Sequence, residues 1–164
     1  LTQGFIAGTP EKFAVTLGRE GSDYSAAIFA FALQAESVTI WKDVEGLLNA
    51  DPKVFPHPVR LPEIPYREAI ELAYYGASVI HPKTIKPLQN KNIPLYVKSF
   101  LHPEGEGSLI HSMERFEAVP CFIKKSRQVL ISIFSKDFSF IAEENLSTIF
   151  ALFAFLITKK IIKK

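Results

Sequence analysis

Thr16-Leu17-Gly18-Arg19-Glu20-Gly21-Ser22-Asp23-Tyr24-Ser25-Ala26-Ala27 is the stretch on which the fold turns. Just before and into it, Phe13 to Leu17 is apolar and β-branched, the composition of a buried strand. Gly18 to Gly21 is a polar turn bounded by glycines, and from Asp23 to Leu33 the residues Ala26, Ala27, Ala30 and Phe31 recur at helical spacing. Ser37 to Trp41 then reads as a second short buried strand. Strand, loop, helix and strand make a βαβ unit, which predicts an α/β fold: an open, mainly parallel sheet with helices on both faces.

The same stretch has chemical content. Backbone N–H groups at a helix start lack intrahelical partners and carry partial positive charge, so they suit an anion, and Arg19 adds a forked cation able to hold a carboxylate or phosphate by two hydrogen bonds. A plainer reading stands beside it: Ser22 or Asp23 caps the helix and Arg19 is a solvated loop charge. A second charged segment, Trp41-Lys42-Asp43-Val44-Glu45-Gly46-Leu47-Leu48-Asn49-Ala50-Asp51-Pro52-Lys53, follows the second strand. Ligands of open α/β sheets gather beyond the carboxyl ends of strands, so two such loops suggest one crevice.

Beyond Asp43 the prolines at Pro52, Pro56, Pro58, Pro62 and Pro65 predict a long surface loop with a turn at Asp51-Pro52. Pro65 fits the first position of a helix over Tyr66 to Tyr75 with Gly76 as its stop, and His81-Pro82 opens another toward Gln89, His81 capping it. Pro94 to Lys98 reads as a strand, and Ser108 to His111 as a last edge strand. The reading divides the chain into residues 1–112, a linker over 113–125, and a shorter unit over 126–164. That unit holds a strand at Gln128 to Phe134 and a helix at Phe140 to Phe153, whose Ile141, Leu146, Ile149, Phe150 and Phe153 share a face. One strand and one helix do not close a core, so this unit is expected to be cut short, and a start at Leu1 inside a strand-like run suggests a beginning farther upstream.

Composition excludes several classes. The 164 residues are 48% hydrophobic and 22% charged with a net charge of +2, which is globular, and the basic residues are scattered among acids until a short Lys/Ile-rich tail, so no nucleic-acid partner is expected. The longest apolar run, Ile149 to Ile157, is roughly half of the ~20 residues a membrane-spanning helix needs, and no membrane association is expected. A single cysteine, Cys121, forms no internal disulfide and points to a reducing compartment, the cytoplasm. His57, His102 and His111 lack metal-ligand spacing, so no resident metal site is expected.

Three segments, Thr16 to Ala27, Trp41 to Lys53 and Tyr74-Tyr75-Gly76-Ala77-Ser78-Val79-Ile80-His81-Pro82, resemble the consecutive signatures of the aspartate kinases in order and spacing. Glu106 to Ile110 resembles the segment that closes that amino-acid kinase domain, and Gln128 to Phe153 resembles the start of a ferredoxin-like ACT regulatory domain, here truncated. The resemblance implies a partial amino-acid kinase fold and ATP-dependent phosphorylation of the β-carboxylate of L-aspartate, with Mg2+ accompanying the nucleotide. It implies that Arg19, Gly21 and Ser22 bind the substrate, Arg19 holding a carboxylate, and that Asp23 is the catalytic acid, orienting a cation at the phosphates. Lys42, Asp43, Leu48, Lys53 and Ser78 would lie on the nucleotide side. Lys42, Leu48 and Ser78 stand where the family often has threonine, tyrosine and lysine, and the family's Lys-Phe-Gly-Gly-Thr-Ser loop does not occur in this chain. A feedback amino acid, lysine or threonine, a homodimer and a cytoplasmic location are the further implications. Two rivals remain: another amino-acid kinase, such as glutamate 5-kinase or acetylglutamate kinase, and a non-catalytic regulatory or interaction segment.

Overall fold

The computed structural model describes residues 1–75, 79–117, 119–125, 132–134 and 143–158. Ser78 and the expected stop at Gly76 lie outside the described residues. The chain divides into two compact units, Leu1–Ser126 and Arg127–Lys164.

In the first unit, β1 (Ile6–Gly8) and β2 (Ala14–Thr16) form an antiparallel hairpin with Ile6 opposite Thr16. Helix α1 (Gly21–Leu33) follows, then β3 (Val38–Lys42), β4 (Glu63–Pro65), α2 (Tyr66–Tyr75), α3 (Pro82–Asn90), β5 (Leu95–Ser99) and β6 (Ser108–His111). A four-stranded sheet runs in the order β3-β5-β6-β4. Its pairings β3–β5 and β4–β6 are parallel and β5–β6 is antiparallel, so the sheet is mixed but mainly parallel.

Two expectations change. The run from Phe13 to Leu17 is not the first strand of a βαβ unit: β2 pairs with β1, while β3 takes β5 as its parallel neighbour. The misreading has a physical cause, because Phe13 and Val15 are exposed despite their apolar character, and a tight turn closed by Thr9 N–H to the Phe13 carbonyl (2.9 Å) folds this segment back on its predecessor. Nor is β6 an edge strand. It lies between β5 and β4 with Ser108 and Ile110 buried, and the described edges are β3 and β4.

Alternation sets the core. Val38, Ile40, Leu95, Val97, Ile110 and Ile64 occupy one face of the sheet in register and are buried, with Ala27 and Ala30 of α1, Ala69 of α2, and Ile85 and Leu88 of α3 packed on them. Their counterparts Thr39, Trp41, Tyr96, Lys98 and Leu109 are exposed or half-buried on the other face. Pro65 ends β4, and Tyr66 opens α2 one residue later than expected; its buried hydroxyl donates to the Ile93 carbonyl at 2.7 Å. Burial pushes the Tyr66 phenol above its ordinary pKa. Helix α3 starts as Pro82 requires, and His81 caps it, Nδ1 accepting the Lys83 N–H at 3.1 Å.

The proline-rich segment between β3 and β4 is long but ordered. Leu48 bridges Arg60 in antiparallel fashion, Leu61 N–H donates to the Leu47 carbonyl (2.9 Å), and the Asp51 carboxylate accepts Lys53 N–H (2.9 Å) in the expected turn. Ser108 of β6 holds both arms: its Oγ accepts Leu47 N–H at 2.8 Å and donates to the Leu61 carbonyl at 2.6 Å, fully buried. Within the expected linker, Phe122 N–H donates to the Asn49 carbonyl (2.7 Å) and the Phe122 ring stands 5.7 Å from that of Phe55.

In the second unit, helix α4 (Glu143–Thr158) covers most of the expected helix and leaves Phe150, Leu152 and Phe155 exposed. The expected strand at Gln128 to Phe134 lies mostly outside the described residues, and its described part, 132–134, is irregular. Among the described residues, no helix is long and apolar enough to cross a membrane.

Candidate functional site

The loop joining β2 to α1 takes its shape from its backbone. Gly18 (φ +72°) and Glu20 (φ +54°) both adopt the left-handed conformation, which glycine enters freely and glutamate only at a cost of about 1 kcal/mol or more. Gly21 N–H closes the turn onto the Gly18 carbonyl at 3.0 Å. A Cβ on Gly21 would stand 2.8 Å from the Phe5 ring and 3.0 Å from Leu17 Cβ, so that position has no room for a side chain. Ser25, one turn into α1, ties the hairpin to the helix by accepting Phe5 N–H and donating to the Gly21 carbonyl, each at 3.0 Å.

Glu20 is the N-cap of α1 and makes no side-chain capping bond, so neither Ser22 nor Asp23 caps the helix; they occupy its first turn. The N–H groups of that turn are therefore not taken up by a capping side chain. Arg19 is 72% exposed and its Nε stands 3.7 Å from Glu20 Oε1, a loose pairing that leaves the guanidinium free to turn toward a ligand. Ser22 is exposed beside it.

Asp23 meets the second charged segment. Lys42, the last residue of β3, places Nζ 2.6 Å from Asp23 Oδ2, with side-chain exposures of 21% and 14%. The approach is not aligned as a hydrogen bond, so this contact is an ion pair held close in a partly desolvated place. The two loops expected to share a crevice thus meet at Asp23 and Lys42. Asp43 follows, exposed, while Leu48 is half-buried in its bridge to Arg60 and Lys53 is exposed on the turn after Asp51. A cleft of about 200 Å³ lined by Glu45, Arg60, Ser99, His102, Glu106 and Gly107 contains none of the expected residues.

Sequence reasoning passed over Lys83. From α3 its Nζ donates to the Leu17 carbonyl at 2.7 Å and stands 5.6 Å from the centre of the Tyr24 ring. The only signal was its place two residues after His81, which says nothing about a partner 66 positions away. Cys121 is no activated nucleophile: burial first, and then the Glu68 charge, push its thiol above the ordinary range.

Residues 1–99 match the amino acid kinase family. The chain is 46% identical over 119 residues to the bifunctional aspartokinase/homoserine dehydrogenase of Haemophilus influenzae, an alignment covering 73% of this chain and 15% of the relative. It is 44% identical over 110 residues to lysine-sensitive aspartokinase 3 of Escherichia coli, covering 67% and 24%. The fold is similar to a crystal structure of E. coli aspartokinase III in complex with aspartate and ADP, with a TM-score of 0.66 and 42% identity over 69% of this chain and 25% of that one. Clostridium acetobutylicum aspartate kinase is also similar, with a TM-score of 0.62 and 34% identity over 70% and 26%. The chain therefore spans no more than about a quarter of the length of these relatives.

Proposed function

The chain belongs to the amino acid kinase family, and from that premise we propose that its β2–α1 loop and the end of β3 are the amino-acid side and the phosphate side of an aspartate kinase site. The reaction is transfer of the γ-phosphoryl group of ATP to the β-carboxylate of L-aspartate, giving 4-phospho-L-aspartate and ADP. The carboxylate oxygen forms the new bond to phosphorus as the bond to the ADP oxygen breaks. A carboxylate is ionised near neutral pH, so no base is required, and the protein must align two anions and offset their repulsion.

The observation that carries this reading is the Asp23–Lys42 pair at the mouth of the glycine loop. Asp23 fixes the Lys42 ammonium where it can face phosphate oxygens. Arg19 holds a carboxylate of aspartate, with Ser22 donating from the start of α1 and Gly21, which has no room for a side chain, letting the substrate approach the backbone there. Asp43, Leu48, Lys53 and Ser78 complete the nucleotide side. The described residues include no cluster of three His, Cys, Asp or Glu side chains for a metal, and Mg2+ enters in this proposal bound to the nucleotide, where it neutralises phosphate charge. Residues 126–164 are the beginning of an ACT unit that would sense lysine or threonine in a cytoplasmic homodimer; the E. coli relative is named for its lysine sensitivity.

Aspartyl phosphate trapped as its hydroxamate tests the proposal, using the protein expressed in its full reading frame with ATP and Mg2+. Product is expected with aspartate and not with glutamate, and Asp23→Asn lowers its rate. Turnover of glutamate in place of aspartate, or an unchanged rate in Asp23→Asn, overturns it.

A further inference from the structure

The loop that carries Arg19 begins at Leu17 and gives way to α1 before Tyr24, and one side chain from another element touches both of those residues. Lys83 Nζ donates to the Leu17 carbonyl at 2.7 Å and stands 5.6 Å from the centre of the Tyr24 ring. Its own backbone is fixed in turn, because Lys83 N–H donates to Nδ1 of His81 at the start of α3. Helix stability does not account for a lysine here: it is the second residue of α3, where the helix dipole disfavours a cation. Among the described residues, the ammonium meets a carbonyl and an aromatic face on the far side of the glycine loop.

We infer that Lys83 is a positioning residue for amino-acid recognition, clamping the Gly18–Gly21 loop against α3 so that Arg19 and the first turn of α1 present one geometry to the substrate carboxylate. The inference rests on the proposed aspartate site and adds to it the device that holds its loop. Gly18 gives that loop wide backbone freedom, while its far end is held at Gly21, whose N–H donates to the Gly18 carbonyl and whose carbonyl accepts from Ser25 Oγ. A tie at both ends removes that freedom before the ligand arrives, which lowers the ordering cost of binding.

Two measurements on the 164-residue chain test this, with Lys83→Met and Lys83→Arg. Amide exchange reads the clamp without any ligand: Lys83→Met is expected to speed exchange at Gly21 at least fivefold with the global melting temperature within a few degrees, and Lys83→Arg to restore protection. Calorimetric titration with L-aspartate and, separately, ADP reads its use: Lys83→Met is expected to weaken aspartate about tenfold, leave ADP within twofold, and be rescued by Lys83→Arg. Unchanged exchange at Gly21 overturns the clamp, and equal losses for aspartate and ADP overturn its role in amino-acid recognition. Absence of aspartate binding in the unaltered chain counts against the aspartate site itself, while the exchange result still decides whether Lys83 holds the loop.

Discussion

The ammonium of Lys42 stands 2.6 Å from Oδ2 of Asp23, joining the last residue of β3 to the first turn of α1. With both groups largely withdrawn from water, removing one leaves the other partly buried and unpaired. Asp23→Asn and Lys42→Met should each destabilise the chain by about 1–3 kcal/mol. The double variant should cost clearly less than their sum, giving a coupling of at least about 0.5 kcal/mol in a urea-denaturation cycle. Strict additivity would mean that the pair is not formed in solution.

Arg19→Lys keeps the charge and loses the fork. A charge-assisted hydrogen bond contributes roughly 1.5–3 kcal/mol, so affinity for L-aspartate should fall by about one to two decades while that for ADP barely changes. Weakening of ADP alone would assign this loop to the nucleotide.

Tyr66 makes stability depend on pH at the alkaline end. Its buried phenol is pushed above its ordinary value by desolvation, so the folded form retains its proton longer than the unfolded chain does. The associated stability is complete below the unfolded value of about 10 and is lost as pH rises through the higher folded value. Tyr66→Phe removes this dependence above about pH 10 and, by orphaning the Ile93 carbonyl, costs about 1–3 kcal/mol at neutral pH. Parallel urea titrations at pH 7 and pH 10.5 would show both effects, with pH 10.5 chosen as about half a unit above the unfolded value.

Ser108→Ala removes an acceptor and a donor at once, stranding Leu47 N–H and the Leu61 carbonyl in a buried place. A loss of about 1–3 kcal/mol for each stranded group is expected. Proteolysis should then cut first among residues 48–60, because the two arms are no longer tied to β6. A variant as stable and as resistant as the parent would show that the arms hold each other without Ser108.

What could be read from the sequence was local. Helix α1 announced itself by apolar spacing from Asp23 on, although it opens two residues earlier at Gly21, α3 by His81-Pro82, and β3 and β5 by short apolar runs. Non-local pairing was silent, and the errors fall there. Phe13 to Leu17 has a buried strand's composition, yet Phe13 and Val15 face solvent, since their partner is the hairpin strand β1 and not the main sheet. The place of Ser108 to His111 inside the sheet depends on Glu63–Pro65 pairing with it across more than forty residues. For the site, residue type and position made Arg19 a candidate and the family resemblance added Ser22 and Asp23, but that Lys42 is the cation beside Asp23, and that Lys83 braces the loop, follow from contacts no periodicity encodes.

The interior position of β6 also sets a timetable for synthesis. Among the described residues, strand β4 pairs with β6 alone, and β6 alone joins it to β5. Until Ser108 to His111 has left the ribosome, Glu63–Pro65 lacks this partner strand and the arms at Leu47 and Leu61 lack the serine that joins them. The nascent chain can dock β5 on β3 earlier, but the join between β5 and β4 waits on β6, and a ribosome paused before that point holds an open edge that invites mispairing.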